Sequence, residues 1–403
     1  MSTTLTRRDA VPGPPPASPS PRLPAVVYLL GAGTFLMGTT EFVVAGLLPE
    51  LATDFATTEA RAGLTITAFA IGMIVGAPVL PMLTLRLSRR AVLVSALVVY
   101  AAAHVASATT ESLGVLLASR VVAAVATGTF WAVAAVVAAR LVGPQRAPTA
   151  LGIVLGGGML STVVGVPIGA VAGQAVGWRG PFAALAVLAA VLAVVTARWL
   201  PAGSPDAARP SVRAEVASLR SGRLWLVLLT CAAVNAGVLS VYSFVSPLLG
   251  GRAGLSAAMI PVALAVFGVG TFVGNVVGGR VGERRPLGVL VTTAAVTLAT
   301  VALLAVTTSA PVAVLLFAVL GAVGLSANPV LVALAVRLGG AGATLPSAMA
   351  TSMFNAGTAV GTAVTASLLA TPLGGASPPV VAVAAGVVVL TALTVLARRG
   401  PLT

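Results

Sequence analysis

The stretch AVVYLLGAGTFLMGTTEFVVAGLL, residues 25–48, runs for 24 residues with a single charged side chain, Glu41. A helix needs about 20 mostly apolar residues to cross the roughly 30 Å hydrocarbon core of a bilayer, so this stretch is long enough to span one. Eleven further stretches read the same way: 61–84, 91–109, 113–138, 149–172, 181–199, 224–248, 257–280, 287–307, 311–336, 345–370 and 378–397. The whole chain of 403 residues is 58% hydrophobic and 8% charged, with a mean hydropathy of +1.08. So few charges cannot cover a water-soluble fold, and so apolar a chain cannot remain disordered. The apolar runs are continuous rather than alternating, which argues against a transmembrane β-barrel. The fold class expected is an all-α integral membrane protein with twelve transmembrane helices.

The separations between spans are short except at 200–223, where Pro, Ser, Asp, Glu and four Arg intervene. That stretch divides the chain into six plus six helices. Residues 1–23, rich in Pro and Ser, read as a disordered tail. Arg7-Arg8 are followed by a proline tract rather than an apolar run, so they do not read as an export signal. The expected organisation is a tail over 1–23, a six-helix bundle over 24–199, a linker over 200–223, a second bundle over 224–397 and a short tail over 398–403.

All 23 basic residues are Arg, against 9 acidic residues, for a net charge of +14. A pI near 11.8 would suit nucleic-acid binding, but the placement of the arginines argues otherwise. With the N-terminus inside, 19 of the 23 fall in inner segments and only Arg61, Arg179 and Arg252 in outer loops. The excess follows the positive-inside rule and puts both termini in the cytoplasm. Arg89-Arg90 after the second helix recur as Arg284-Arg285 after the eighth, a weak internal repeat. Two six-helix halves of this kind are the plan of many secondary transporters, with the substrate site between the halves near mid-membrane.

Charges inside a span are costly and therefore functional candidates. Glu41 is the one acid well inside a span, Arg120 the one Arg, and His104 the one His of the chain. Glu41 lies about seven residues from the outer end of the first span and Arg120 about seven from the outer start of the fourth. At 1.5 Å per residue, both sit roughly 10 Å below the outer surface. If the two helices face one cavity, Arg120 holds Glu41 ionised and protonation releases the pair, a switch suited to proton coupling. A structural ion pair is the alternative. His104, flanked by Ala and Val, reads better as a packed, hydrogen-bonded residue than as a ligand.

Uncharged polar and aromatic residues supply the remaining candidates. Thr39 and Thr40 precede Glu41, Asn235 and Tyr242 are seven apart on one face of the seventh span, and Asn328 and Asn355 are isolated amides. Each amide suits either a substrate or a link between helices. Aromatic residues make up only 4% of the chain, so the grouping of Phe35, Phe42, Phe69, Phe130, Trp131 and Tyr242 on the first, second, fourth and seventh spans is informative. An apolar pocket with a few polar anchors suits an aromatic, largely neutral molecule; for any single one of these rings, plain helix packing is the safer reading. In the fifth span, Gly165-Val166-Pro167-Ile168-Gly169 combines close packing with a break in the helix ladder.

With these residues in place, the chain resembles the major facilitator superfamily over about 25–397, in its twelve-helix drug/proton antiporter branch. MGTTEFVVAGLLPELA (Met37–Ala52) is similar to the opening signature of a subgroup of small-molecule exporters. GVPIGAVAGQAVGWRGPF (Gly165–Phe182) is similar to the antiporter motif and the element after it. The loop after the second helix departs from the family's Gly-x-x-x-Asp-Arg-x-Gly-Arg-Arg, because Leu85 stands at the Asp position. The equivalent after the eighth helix keeps Gly279, Glu283 and Arg284, with Glu in place of Asp. In the family this element latches the halves. Arg120 matches the family's fourth-helix Arg near the coupling acid, and Ala124 stands where that motif has Gly. FAIGMIVGAP (Phe69–Pro78) and VNAGVLSVYSFVSPLL (Val234–Leu249) look most like actinobacterial chloramphenicol-resistance exporters.

The resemblance implies proton-coupled antiport of a small amphipathic drug, phenicols first, from the cell membrane by a monomer that needs no cofactor beyond the proton gradient. An exporter of a sugar, nucleoside or other metabolite is the alternative, although few intramembrane amides and acids are available for a polyol. An enzyme would need a nucleophile–base pair or a metal cluster, and one His with one Cys, Cys231, leaves little to build from. Without Lys there is no Walker A motif.

Overall fold

The computed structural model describes residues 23–84, 87–143, 145–201, 219–339 and 345–398. Residues 1–22 of the tail expected over 1–23, most of the linker, the Leu85-Arg86 pair and residues 399–403 lie outside the described residues. Twelve long helical segments follow one another: α1 (Ala25–Gly46), α2 (Glu59–Gly76), α3 (Arg89–Thr109), α4 (Leu113–Val142), α5 (Ala147–Val176), α6 (Arg179–Trp199), α7 (Gly222–Ser243), α8 (Ala257–Arg284), α9 (Pro286–Val306), α10 (Ala310–Gly339), α11 (Leu345–Leu369) and α12 (Gly374–Arg398). Eleven are long and apolar enough to cross a membrane. The twelfth, α11, has the length, 25 residues, but carries a row of Ser, Thr and Asn. Several of those hydroxyls are satisfied within the helix, as Thr358 Oγ1 donates to Phe354 O at 3.1 Å and Thr362 Oγ1 to Thr358 O at 2.7 Å, whereas Thr365 Oγ1 is buried without a partner. Twelve successive crossings return the end of α12 to the face from which α1 starts.

Large apolar side chains point outward along these helices, such as Val187, Leu188, Val191 and Val194 of α6, each more than half exposed. Such a surface is stable against lipid and not against water.

The helices depart from straight spans where proline dictates. Pro78 has no N–H and crowds the carbonyl four residues back, so α2 stops at Gly76 and resumes as a short helix, Val79–Leu83. Pro329 breaks α10 in the same way, into Ala310–Gly324 and Asn328–Gly339. In α5, a π turn over Ser161–Gly165 precedes Val166 and Pro167.

Within the first six helices α1 packs on α5, α2 on α4, and α3 on both α4 and α6; within the last six α7 packs on α11 and α12, and α8 on α10. The α1–α5 seam depends on glycine. A Cβ at Gly165, Gly169 or Gly173 would collide with Thr39, Val43 or Leu47, a match repeating every four residues on both helices. The two sets of six meet along α2–α11 and α5–α8. Thr67 and Thr362 share a hydrogen bond at 2.8 Å, and Ser352 Oγ donates to Ile74 O at 3.0 Å. Gln174 Nε2 at the end of α5 donates to Ala257 O at the start of α8, 2.9 Å away. Deeper in, the backbone of Thr162 leaves no room for a Cβ at Gly268. The halves are thus closed against each other at the face opposite the chain ends and into mid-membrane.

Candidate functional site: a cavity between the halves

A small cavity lies where the two sets of helices meet. Glu41, Phe42 and Ala45 of α1 and Ile66, Phe69 and Ala70 of α2 form one wall. Leu239, Tyr242 and Ser243 of α7 and Asn355 and Thr358 of α11 form the other. Of the residues the sequence singles out, Glu41, Phe42, Phe69, Tyr242 and Asn355 are brought together here.

The aromatic rings are ordered by one another. Phe42 meets Tyr242 edge to face, with centroids 5.7 Å apart and planes at 88°. Tyr242 packs in turn on Phe267 at 4.7 Å and Phe317 at 6.3 Å. Its hydroxyl is buried with no hydrogen-bond partner, so the cavity wall holds an unused donor. Asn355 Nδ2 donates to Thr351 O at 3.0 Å.

The expected Glu41–Arg120 pair does not form. Arg120 is fully buried, and its Nη1 donates to Thr40 Oγ1 at 2.8 Å while its Nη2 donates to Thr40 O at 2.9 Å. Its Nε reaches Thr65 O at 3.5 Å, and its guanidinium lies 4.3 Å from the centre of the Phe69 ring. The depth matching that placed the two charges together holds to one residue, but the azimuth does not. Successive residues on a helix are about 100° apart, so α1 turns Thr40 toward α3 and α4 and Glu41 toward the cavity. Phe69 stands between, with the cavity along it and the cation over its face. The fork of five donors is met by neutral oxygens and a ring rather than by a carboxylate.

Other expected site residues lie elsewhere. Phe130 is buried in the first six-helix core, its ring filling the space a Cβ on Gly33 would need. Trp131 packs against Gly158, its indole N–H unpartnered. Asn328 Nδ2 donates to Asn235 Oδ1 at 3.3 Å, so these amides join α7 to α10. Thr39 donates back to Phe35 O at 2.8 Å, and half-buried Phe35 does not line this cavity. Glu283 and Arg284 are exposed at the end of α8, and Gly279 lies 3.8 Å, as Cβ, from Pro329. Sequence reasoning missed Thr358 and Ser243. Thr358 lies one turn beyond Asn355, and Ser243 adjoins Tyr242, so helical spacing from the named residues was the available signal.

The family model described as Major Facilitator Superfamily matches residues 30–362. The chain belongs to this superfamily. It is 39% identical over 360 residues to a chloramphenicol resistance protein of Streptomyces lividans, covering 88% of this chain and 92% of that one. It is 30% identical over 376 residues to the inner membrane transport protein YdhP of Escherichia coli K12, covering 92% and 96%. In three dimensions it is similar to a bacterial homologue of the human lysosomal transporter Spinster in an inward-facing, occupied conformation. The TM-score is 0.71 at 17% identity, over 93% of this chain and 96% of that one. As a superfamily member the chain is a multi-pass transporter of the cell membrane, not an enzyme, and its partners are a small-molecule substrate and bilayer lipid. In transporters built from two such halves the substrate site lies between the halves near mid-membrane, and this cavity lies between the two six-helix sets.

Proposed function

We propose that this transporter exports a small, largely neutral amphipathic drug, phenicols first, in exchange for protons, as a monomer with both termini cytoplasmic. The observation that carries the reading is the cavity itself. It offers one carboxyl, Glu41, among the rings of Phe42, Phe69 and Tyr242, with Tyr242 and Asn355 as anchors. Apolar walls with a few polar groups suit an aromatic neutral cargo better than a polyol. The relative named for chloramphenicol resistance supports the same substrate class, and the arginine bias supports the orientation.

Glu41 is the group that exchanges protons. Protonated, it is neutral and tolerates closure of the halves around it; ionised, it favours access to water. Drug leaving and proton entering then use the same cavity in turn. Arg120, held behind α1 on Thr40, supplies a fixed positive charge next to the acid without neutralising it by contact. Gly165, Pro167 and Gly169 shape the α5 side of the joint, and Gly279, Glu283 and Arg284 serve as the latch element retained after α8.

The test is chloramphenicol accumulation in an efflux-deficient host with wild type, Glu41→Gln and empty vector at matched membrane levels. Wild type should lower accumulation, and both a protonophore and Glu41→Gln should abolish the effect. Wild type indistinguishable from empty vector across phenicols would remove the substrate assignment and turn attention to metabolite export.

A further inference from the structure

His104 takes no part in the exchange described above, yet it is buried and bonded to Thr40, the residue before the acid. We infer that His104 is a positioning residue for Glu41: it fixes the Thr40 hydroxyl as the acceptor for Arg120 and so holds that guanidinium behind the acid. The inference rests on Glu41 being the group that exchanges protons.

The proton inventory gives the direction of each bond. His104 Nδ1 is 2.8 Å from Tyr100 O, and a carbonyl only accepts, so Nδ1 carries a hydrogen. His104 Nε2 is 2.7 Å from Thr40 Oγ1. Thr40 Oγ1 already accepts from Arg120 Nη1, and an arginine only donates. The arrangement that satisfies every group has the Thr40 hydroxyl donating to Nε2 of a neutral ring. A protonated ring would direct a second cationic donor at the same buried oxygen and leave the Thr40 hydrogen without its acceptor. The ring is therefore no proton carrier; it is the acceptor that orients the Thr40 rotor, whose lone pair then faces Arg120.

The ring cannot turn away. It stacks on Tyr100 with centroids 4.0 Å apart and faces Phe182 at 5.7 Å. Tyr100 is itself pinned, its hydroxyl donating to Leu36 O at 3.1 Å. The chain Arg120–Thr40–His104–Tyr100 thus joins α4, α1 and α3, with Thr40, His104, Arg120 and Tyr100 each at most 1% exposed. Arg120 also donates to the carbonyl of the peptide that links Thr40 to Glu41. The titratable groups near the acid are Arg120 from α4 and Tyr242 from α7, and those near the imidazole are Tyr100 from α3 and Arg120. Arg120 makes no bond to Glu41, so its effect on the acid depends on being held at this distance.

The experiment reads the protonation of Glu41 directly, without transport. Purified protein in detergent is treated over a pH series with a hydrophobic carbodiimide, which modifies protonated buried carboxyls, and modification of the Glu41 peptide is quantified by mass spectrometry. Glu41→Gln gives the blank. His104→Ala and Thr40→Val should each displace the midpoint by about one pH unit, a tenfold change in proton affinity, in the direction that Arg120→Ala displaces it. Thr40→Ser, which keeps the hydroxyl, and His104→Gln, whose Oε1 accepts in place of Nε2, should stay within about 0.3 unit of wild type. A midpoint unmoved by both His104→Ala and Thr40→Val, in protein that elutes monodisperse, would overturn the inference, since a merely structural role lowers thermal stability and leaves the midpoint alone. This readout is independent of the drug: if phenicol export fails while the midpoint shifts, the substrate reading falls and the role of His104 stands.

Discussion

Tyr242 presents the one polar ring of the cavity wall, and Glu41 its one carboxyl. Scarcity made Glu41 and Arg120 conspicuous, because an apolar chain with one acid and one arginine well inside its spans leaves few alternatives. Their mutual arrangement was out of reach, since one residue of azimuth separates a carboxylate facing the cavity from a threonine facing the core. The unpartnered Tyr242 hydroxyl gives a prediction at this scale. Tyr242→Phe removes a buried donor with no acceptor, so stability should hold or rise slightly. Affinity for a phenicol should fall about fivefold to tenfold, the loss of one hydrogen bond worth about 1 kcal/mol. Thermal unfolding and equilibrium binding on the same preparation measure both, and unchanged affinity would exclude the hydroxyl as a substrate donor. Glu50, on the short helix Leu48–Asp54 after α1, gives a second. Burial pushes its carboxyl above the ordinary 4.5, opposed by the smaller effect of its own backbone N–H, and its Oε2 has no partner. An acid with a raised folded-state pKa binds protons more tightly folded than unfolded, so its contribution falls as pH rises from 4.5 through the raised value. Glu50→Gln should therefore be more stable than wild type at pH 8 and no more stable at pH 4, measured by thermal unfolding.

At the scale of elements, apolar length located the helices to within a few residues, because a bilayer sets a minimum span. It missed the breaks. Pro78 and Pro329 sit near span ends, where a hydropathy reading carries the run through without a signal. Pro78 has a consequence between the halves. It cannot donate to Ile74 O, and the carbonyl it leaves free is the one Ser352 of α11 engages at 3.0 Å. Ser352→Ala should weaken the closed arrangement by about 1–2 kcal/mol, the cost of an unpaired buried carbonyl. In Pro78→Ala, where a helical N–H can replace the proline, Ser352→Ala should cost little. A double-mutant cycle on the accessibility of a cysteine placed at the α2–α11 seam measures this coupling, and additive effects would show that the two positions act independently.

For the molecule as a whole, the positive-inside count and the twelve spans made the architecture legible, and the paired Arg-Arg motifs hinted at its repeat. The contents of the cavity were legible only in part, because which face of each helix turns inward depends on packing between halves far apart in sequence. A single carboxyl in that cavity sets the energetics expected of the exchange. One proton entering against a neutral drug leaving moves one net charge, worth about 2.3 kcal/mol per 100 mV. Export should therefore quicken when an inside-negative potential is imposed at a fixed pH gradient, and a flat response would mean that no net charge crosses per cycle, which contradicts exchange of one proton for a neutral drug.

The most direct measurement is coupled flux in liposomes holding the purified transporter, with chloramphenicol and proton movement recorded together under an imposed pH gradient. Proton-driven drug movement should occur at about one proton per drug, and Glu41→Gln should abolish both fluxes. Drug moving down its own gradient without protons, or undiminished coupled flux in Glu41→Gln, would contradict proton exchange at Glu41.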